Sequence, residues 1–304
     1  MATLPFAGSR SYGVGSLART SGALAMVAID QRESLHTMFE KTRGSRVTDR
    51  LVTDFKLAVA EILAPEASAM LFDRHFALPA FKAAGVANPG LGRIMAADAL
   101  VQTQGGEVED ADIDAGVAPA WACAQGAVAL KLLLIWKGAE NAARNVEVAR
   151  RFVAECHSAG LVSVVEGVVR KPASTSDSWD RETAIVEAAA AFATVKPDLY
   201  KCQVPFLGLG DASRIGAVSE RITATLSCPW VVLSAGVAVK DYPRAVEIAC
   251  KSGASGFLAG RAIWGDLLAT DDYRARIAEV SVPRVRNLVE IVDRHARPWS
   301  SAGR

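Results

Sequence analysis

The chain has 304 residues, 51% hydrophobic and 22% charged, with 34 basic side chains against 33 acidic ones and a net charge of +1. That length suffices to bury one large core, and the even charge balance, with no basic stripe, excludes a surface built for nucleic acid or an anionic membrane. Residues 1–19 lack the continuous apolar stretch of a secretion signal, and the longest apolar runs, such as 127–136, are too short for a membrane span and are broken by Lys131.

Short apolar, β-prone runs occur at 24–30, 67–73, 93–98, 129–136, 161–169, 199–205, 230–236 and 255–261. Stretches with helical spacing lie between them, at 49–63, 140–159, 180–194, 212–225 and 242–252. Nearly continuous apolar strands imply burial on both faces, hence a parallel sheet covered by helices. Eight such units make the expected fold α/β, a single (β/α)8 TIM barrel spanning 1–304, with 1–15 and 297–304 as loose tails. The segment 101–126 looks irregular and contains an acidic run, Glu107 to Asp112. It is expected to be a loop or lid near the rim with its acidity solvated. Helical spacing resumes at 283–295.

Five cysteines (Cys123, Cys156, Cys202, Cys228 and Cys250) are dispersed without paired spacing, which points to reduced thiols in a cytoplasmic protein. The four histidines have no metal-binding spacing. Neither a metal nor another cofactor is therefore expected.

Several strands end on a polar residue after an apolar body: Asp30, Asp73, Asp98, Glu166, Lys201, Ser234 and Arg261. The C-terminal strand ends of a barrel converge at one rim, where active sites lie. Lys201 is the most informative of these. A lysine in a buried strand either reaches solvent, pairs with a carboxylate, or loses its charge and becomes a nucleophilic amine able to form a Schiff base. Strands four and five supply Lys131 and Glu166. Lys131 offers a second cation, and Glu166 a general base; a structural ion pair between the two is an equal alternative. Asp30, Gln31 and Arg32 close strand one, where Asp30 can cap a helix and Gln31 and Arg32 can donate to an anionic or hydroxylated ligand. Glycine-rich turns at Ser234-Ala235-Gly236 and Gly260-Arg261 follow the last two strands, the usual phosphate position of such barrels, and the Arg261 fork suits an anion. His75 follows strand two and is expected on the surface.

These residues stand in recognisable contexts: Ala28-Ile29-Asp30-Gln31-Arg32-Glu33-Ser34, Ala129-Leu130-Lys131-Leu132-Leu133, Leu161-Val162-Ser163-Val164-Val165-Glu166, Asp198-Leu199-Tyr200-Lys201, Leu233-Ser234-Ala235-Gly236-Val237 and the segment from Gly256 to Trp264. Together they resemble the class I aldolases of the tagatose-bisphosphate group, and within it the sulfofructosephosphate aldolases of sulfoglycolysis. The resemblance implies metal-independent retro-aldol cleavage of 6-deoxy-6-sulfofructose 1-phosphate to dihydroxyacetone phosphate and 3-sulfolactaldehyde. Tagatose or fructose 1,6-bisphosphate is the alternative substrate, and a silent sugar-phosphate-binding barrel a more distant one. Carried onto matching positions, Lys201 is the Schiff-base lysine and Glu166 the proton shuttle. Lys131, Asp30, Gln31 and Arg32 line the sugar pocket, and Ser234, Gly236, Gly260 and Arg261 hold the C1 phosphate with Leu258 nearby. The implied partner is a small phosphorylated sugar or sulfosugar, and the group implies a homo-oligomer, with apolar helices at 277–292 and 245–250 as interface candidates. The chain departs from the pattern at Gly167 and at Cys202-Gln203, which are expected to adjust the pocket floor.

Overall fold

Side-chain alternation with a period of two decides what enters this barrel and what faces its helices. The computed structural model describes residues 11–84, 90–103, 105–173 and 179–302. Ten strands follow in chain order: β1 (Leu24–Ile29), β2 (Ala69–Phe72), β3 (Gly92–Ala96), β4 (Asp98–Gln102), β5 (Val108–Ile113), β6 (Ala129–Trp136), β7 (Val162–Val169), β8 (Leu199–Cys202), β9 (Trp230–Val232) and β10 (Gly256–Ala259). Eight close into a barrel in the order β1-β10-β9-β8-β7-β6-β3-β2, and every pair in it is parallel. The helices Asp49–Leu63, Ala142–Ser158, Arg181–Ala193, Ala212–Thr225 and Tyr242–Lys251 cover the outside, in the intervals where helical spacing occurs in the sequence.

In β1, Leu24, Met26 and Ala28 pack inward while Ala25, Val27 and Ile29 join the outer core under the helices. The other strands repeat this: Leu71, Ile94, Ala96, Ala129, Val162, Val164, Leu199, Val231 and Leu258 fill the interior. The lower barrel is thus a packed apolar plug, as the taper of an eight-strand barrel requires. Gly256 permits one close approach in it. Its φ is +141°, and a Cβ there would lie 1.9 Å from the Leu24 carbonyl oxygen, so a side chain would force β10 away from β1.

Two expectations fail here. The described parts of the termini are not loose tails. Val14 and Leu17 of a short helical turn are buried in the inner cluster, with Tyr12 and Trp299 packed against it. The Trp299 amide donates to the Gly22 carbonyl at 3.0 Å and the Arg297 amide to Ala254 at 3.0 Å. Together the two ends floor the barrel, because its N-terminal opening would otherwise expose apolar side chains. Residues 1–10 and 303–304 lie outside the described residues.

The segment 101–126 is likewise not irregular. Strands β4 and β5 form an antiparallel hairpin starting at Asp98↔Ile113, and a helix follows at Pro119–Ala124. Its acidic residues fall into two groups. Asp110 pairs with Arg144 at 2.7 Å, and Asp112 lies 3.4 Å from both Arg144 and Arg151, whereas Glu107 and Glu109 are exposed. The hairpin was hidden because its hydrophobic face is short: Val108 and Ala111 point inward, and charged residues occupy the alternate positions.

The apolar residues of the interface-candidate helices are spent within this chain. Ile277, Val285, Leu288 and Val292, like Ala245, Val246, Ala249 and Cys250, are buried against their own barrel, so they supply no argument for assembly. Among the described residues, no helix is long and apolar enough to cross a membrane.

Candidate active site

The alternation that packs the floor continues upward into charge. Asp30 follows Ala28 by two residues, Asp73 follows Leu71, Asp98 follows Ala96, Lys131 follows Ala129, Glu166 follows Val164 and Lys201 follows Leu199. All six therefore share the inward parity, and all six are buried, none more than 8% exposed. Register places Lys201 opposite Glu166, and Glu166 opposite Leu133.

Lys131 is the hub. Its ammonium lies 2.8 Å from an Asp30 oxygen, 2.8 Å from Asp98 and 3.2 Å from Glu166, so its three N–H donors meet three carboxylates. Burial works against this cation, but Asp30, Asp98 and Glu166 outweigh burial and hold its pKa well above the ordinary lysine value. The same Glu166 oxygen accepts from the Lys201 ammonium at 3.0 Å. Glu166 thus bridges the two lysines, and the structural ion pair and the candidate base are one carboxylate. Lys131 is not a spare cation, since its charge is answered on three sides.

Of the residues closing β1, Asp30 and Arg32 join this cluster. The Arg32 guanidinium is paired with the Asp98 carboxylate and donates to the Asp98 carbonyl at 2.7 Å. It is therefore already committed within the protein. Gln31 lies against Gly260: a Cβ on Gly260 would come within 3.3 Å of its Nε2 and 2.5 Å of the Ala28 carbonyl oxygen. Gly260 is needed for that contact. The buried Gln31 Oε1 has no hydrogen-bond partner among the described residues.

The loops after β9 and β10 meet. Ser234 Oγ accepts from the Ala262 amide at 3.4 Å, and Gly236 turns the chain at φ +81°. Arg261 is exposed at the rim. Leu258, in contrast, is fully buried in the apolar layer beneath and pairs with Met26 in register. Ile135, Val168 and Leu233 form an apolar wall at the mouth, with Val108 of the hairpin packed on it.

Asp73 serves structure instead. It pairs with the fully buried Lys56 and accepts the His75 and Phe76 amides at 2.8 and 2.7 Å, while His75 itself is exposed. Gly167 and Cys202 face outward, away from the pocket. Cys202 lies in the outer core, and a Cβ on Gly167 would lie 2.2 Å from the Tyr200 hydroxyl. Gly167 therefore accommodates Tyr200 and does not shape the floor. Gln203 is buried and accepts the Val169 amide at 2.7 Å, joining β7 to the end of β8. We expect Gly167→Ala to cost about 1–3 kcal/mol from overpacking. In a double-mutant cycle by urea unfolding, Tyr200→Phe should recover part of that loss; strictly additive losses would contradict the contact.

Sequence reasoning did not single out Asp98 as more than a strand end, although its place two residues beyond Ala96 carried the signal. The cluster also implies a pH dependence. Burial raises the Asp30 carboxyl, but Lys131, Lys201 and Arg32 overcome burial and hold it below the ordinary carboxylate range. A depressed carboxylate contributes stability that is complete above its unfolded pKa and is lost as pH falls through its folded one. Asp30→Asn should therefore be less stable than the parent at about pH 7, with the gap narrowing at about pH 3. Urea unfolding at both values checks this, and a constant gap would contradict it.

A closed parallel barrel with a buried lysine–carboxylate cluster at its C-terminal mouth is the architecture of an α/β-barrel aldolase. A family model described as DeoC/LacD family aldolase matches residues 24–266, and the chain belongs to that family; it is a class I aldolase. It is 27% identical over 320 residues to the tagatose 1,6-diphosphate aldolase of Listeria monocytogenes serotype 4b, covering 94% of this chain and 92% of that one. In fold it is similar to the fructose-bisphosphate aldolase of Plasmodium falciparum, solved in complex with TRAP and a small-molecule inhibitor. The TM-score is 0.71 at 12% identity, with 93% of each chain covered. It is also similar to an archaeal fructose-1,6-bisphosphate aldolase whose catalytic lysine is covalently bound to a carbinolamine intermediate, with TM-score 0.63, 15% identity, and coverage of 92% and 98%.

Proposed function

We propose that Lys201 is the Schiff-base nucleophile of this aldolase and Glu166 its proton shuttle. The observation behind this is the 3.0 Å contact between the Lys201 ammonium and Glu166, both nearly enclosed at the barrel mouth. Lys201 must give up a proton to attack, and Glu166 is placed to take it. The free amine adds to the C2 ketone of an open-chain ketose 1-phosphate; Glu166 returns its proton to the C2 oxygen, which leaves as water, so that an electron-drawing iminium stands beside Glu166 again in its carboxylate form. Glu166 then removes the C4 hydroxyl proton, directly or through a water, as the C3–C4 bond breaks and the aldehyde leaves. The enamine is protonated at C3, and water hydrolyses the adduct to release dihydroxyacetone phosphate and the free lysine. Ser234, Gly236, Gly260 and Arg261 hold the C1 phosphate; Asp30, Gln31 and Arg32 line the sugar; Lys131 keeps Glu166 in place.

For the substrate we favour 6-deoxy-6-sulfofructose 1-phosphate. A sulfonate has one fixed negative charge, whereas a phosphate monoester has nearly two near neutral pH. Arg32, a candidate for the distal anion, is already neutralised by Asp98, which suits a singly charged group. The second reading is tagatose 1,6-bisphosphate, favoured by the activity named for the Listeria relative. Both predict dihydroxyacetone phosphate as one product. Steady-state kcat/KM for the sulfosugar phosphate, tagatose 1,6-bisphosphate and fructose 1,6-bisphosphate separates them. We expect the sulfosugar to lead by about 100-fold or more, as for a site built to one anionic group, and a lead by either bisphosphate would overturn the preference.

A further inference from the structure

Apart from Asp73, which anchors Lys56, Asp98 is the carboxylate among the inward charged residues to which the proposed reaction gives no task. Its side chain is fully enclosed. One oxygen lies 2.8 Å from the Lys131 ammonium and accepts the Leu133 amide at 3.2 Å, and the other is paired with Arg32. Its carbonyl accepts from Arg32 as well. With these lone pairs occupied from inside the protein, it presents no face to a sugar. We propose that Asp98 is the positioning residue of this centre: it fixes Lys131 between Asp30 and Glu166, and so sets the carboxylate that serves Lys201. This rests on the reading of Lys201 and Glu166 given above.

The charges around it support the assignment. The loop after β1 brings Asp30 and Arg32, β2 ends in Asp73, and the helix Asp49–Leu63 contributes Lys56. Strand β6 contributes Lys131, β7 Glu166 and β8 Lys201. Set aside Lys201 and Glu166, the pair that exchanges the proton. The remaining ion-paired cations are Lys56, Lys131 and Arg32, set against Asp30, Asp73 and Asp98, three against three, and Arg261 at the rim adds a further positive charge whose field reaches Glu166 and Asp30. With the buried ions around it paired off, the proton shared by Lys201 and Glu166 feels little field from them, and that balance depends on the Asp98 charge. Without the Asp98 charge, one buried cation beside Glu166 is unanswered, and its field drives protons off the pair.

The test is Asp98→Asn in the full-length enzyme, assayed by release of dihydroxyacetone phosphate from whichever sugar the parent turns over best. We expect kcat to fall by about 100-fold, the cost of a displaced catalytic group, with KM within about threefold. Both limbs of the pH–rate profile should move about one unit toward acid, as for removal of a neighbouring opposite charge. Arg32→Gln combined with Asp98→Asn restores the charge balance and should return the limbs toward the parental positions. A folded Asp98→Asn enzyme with parental kcat and limbs would overturn the proposal, as would limbs that stay displaced in the charge-matched double variant. Should the single variant fail to fold, the double variant decides, because parental kcat in it would show that Lys131 needs no anchor at Asp98. Borohydride trapping of dihydroxyacetone phosphate on the parent separates the two levels. No adduct at Lys201 overturns the Schiff-base reading itself, whereas an adduct together with an indifferent Asp98→Asn variant overturns only the role of Asp98.

Discussion

Lys201→Ala should lower retro-aldol turnover by on the order of 10⁴-fold or more, the scale on which loss of a covalent nucleophile is felt. The fold should survive the change. Glu166 keeps its 3.2 Å contact with Lys131 when Lys201 is removed, so no carboxylate is stranded, and the floor of the barrel lies below the substitution. Lys201→Arg should be equally inactive, because a guanidinium stays charged and makes no iminium. Three measurements belong together: release of dihydroxyacetone phosphate, thermal unfolding, and mass spectrometry after borohydride reduction with dihydroxyacetone phosphate. The parent should gain the reduced adduct on the peptide holding Lys201, and the variants should not. Retained turnover in folded Lys201→Ala, or an adduct on another lysine, would remove Lys201 from the role.

The second large effect is on stability. Lys131→Met preserves most of the side-chain volume but leaves Asp30, Asp98 and Glu166 turned toward a missing cation. Breaking a buried ion cluster on one side costs about 3–5 kcal/mol, here with three carboxylates on the losing side. The sign with pH is defined. Carboxylates stranded together bind protons more tightly folded than unfolded, so the deficit should be greatest near neutrality and shrink as pH falls. Urea unfolding of parent and variant between about pH 7 and pH 5 measures it. A deficit that is small or independent of pH would mean that the carboxylates are answered from elsewhere. The expected contrast with Lys201→Ala is clear: loss of Lys201 should spare the fold and stop the chemistry, whereas loss of Lys131 should damage both.

Much of this was legible in the sequence because a barrel obeys a two-residue rule. Once Leu24, Met26 and Ala28 are read as inward, Asp30 must be inward too, and the same parity delivers Lys131, Glu166 and Lys201 to one cavity. The hairpin at β4 and β5 was not legible, since it projects from the rim and most of its residues are only half-buried, with no clean apolar alternation. The termini misled for a different reason. Val14, Leu17 and Trp299 are isolated apolar residues with no period of their own, and only the open end of the finished barrel gives them a partner. Gly167 and Cys202 sit beside catalytic candidates in sequence, and adjacency suggested the pocket. Adjacent residues of a strand point to opposite faces, and these two belong to the outer core. Nor could sequence show that Arg32 and Asp98, far apart in the chain, neutralise each other.

The floor made by Val14, Leu17 and Trp299 has a consequence for traffic. A barrel stoppered at one end has a single doorway, and whatever enters last must leave first. On the mechanism proposed for Lys201, the untethered aldehyde would depart while the three-carbon phosphate waits its turn. Run in reverse, the same cul-de-sac would impose a queue, the phosphate being loaded onto the lysine before an aldehyde occupies the mouth behind it.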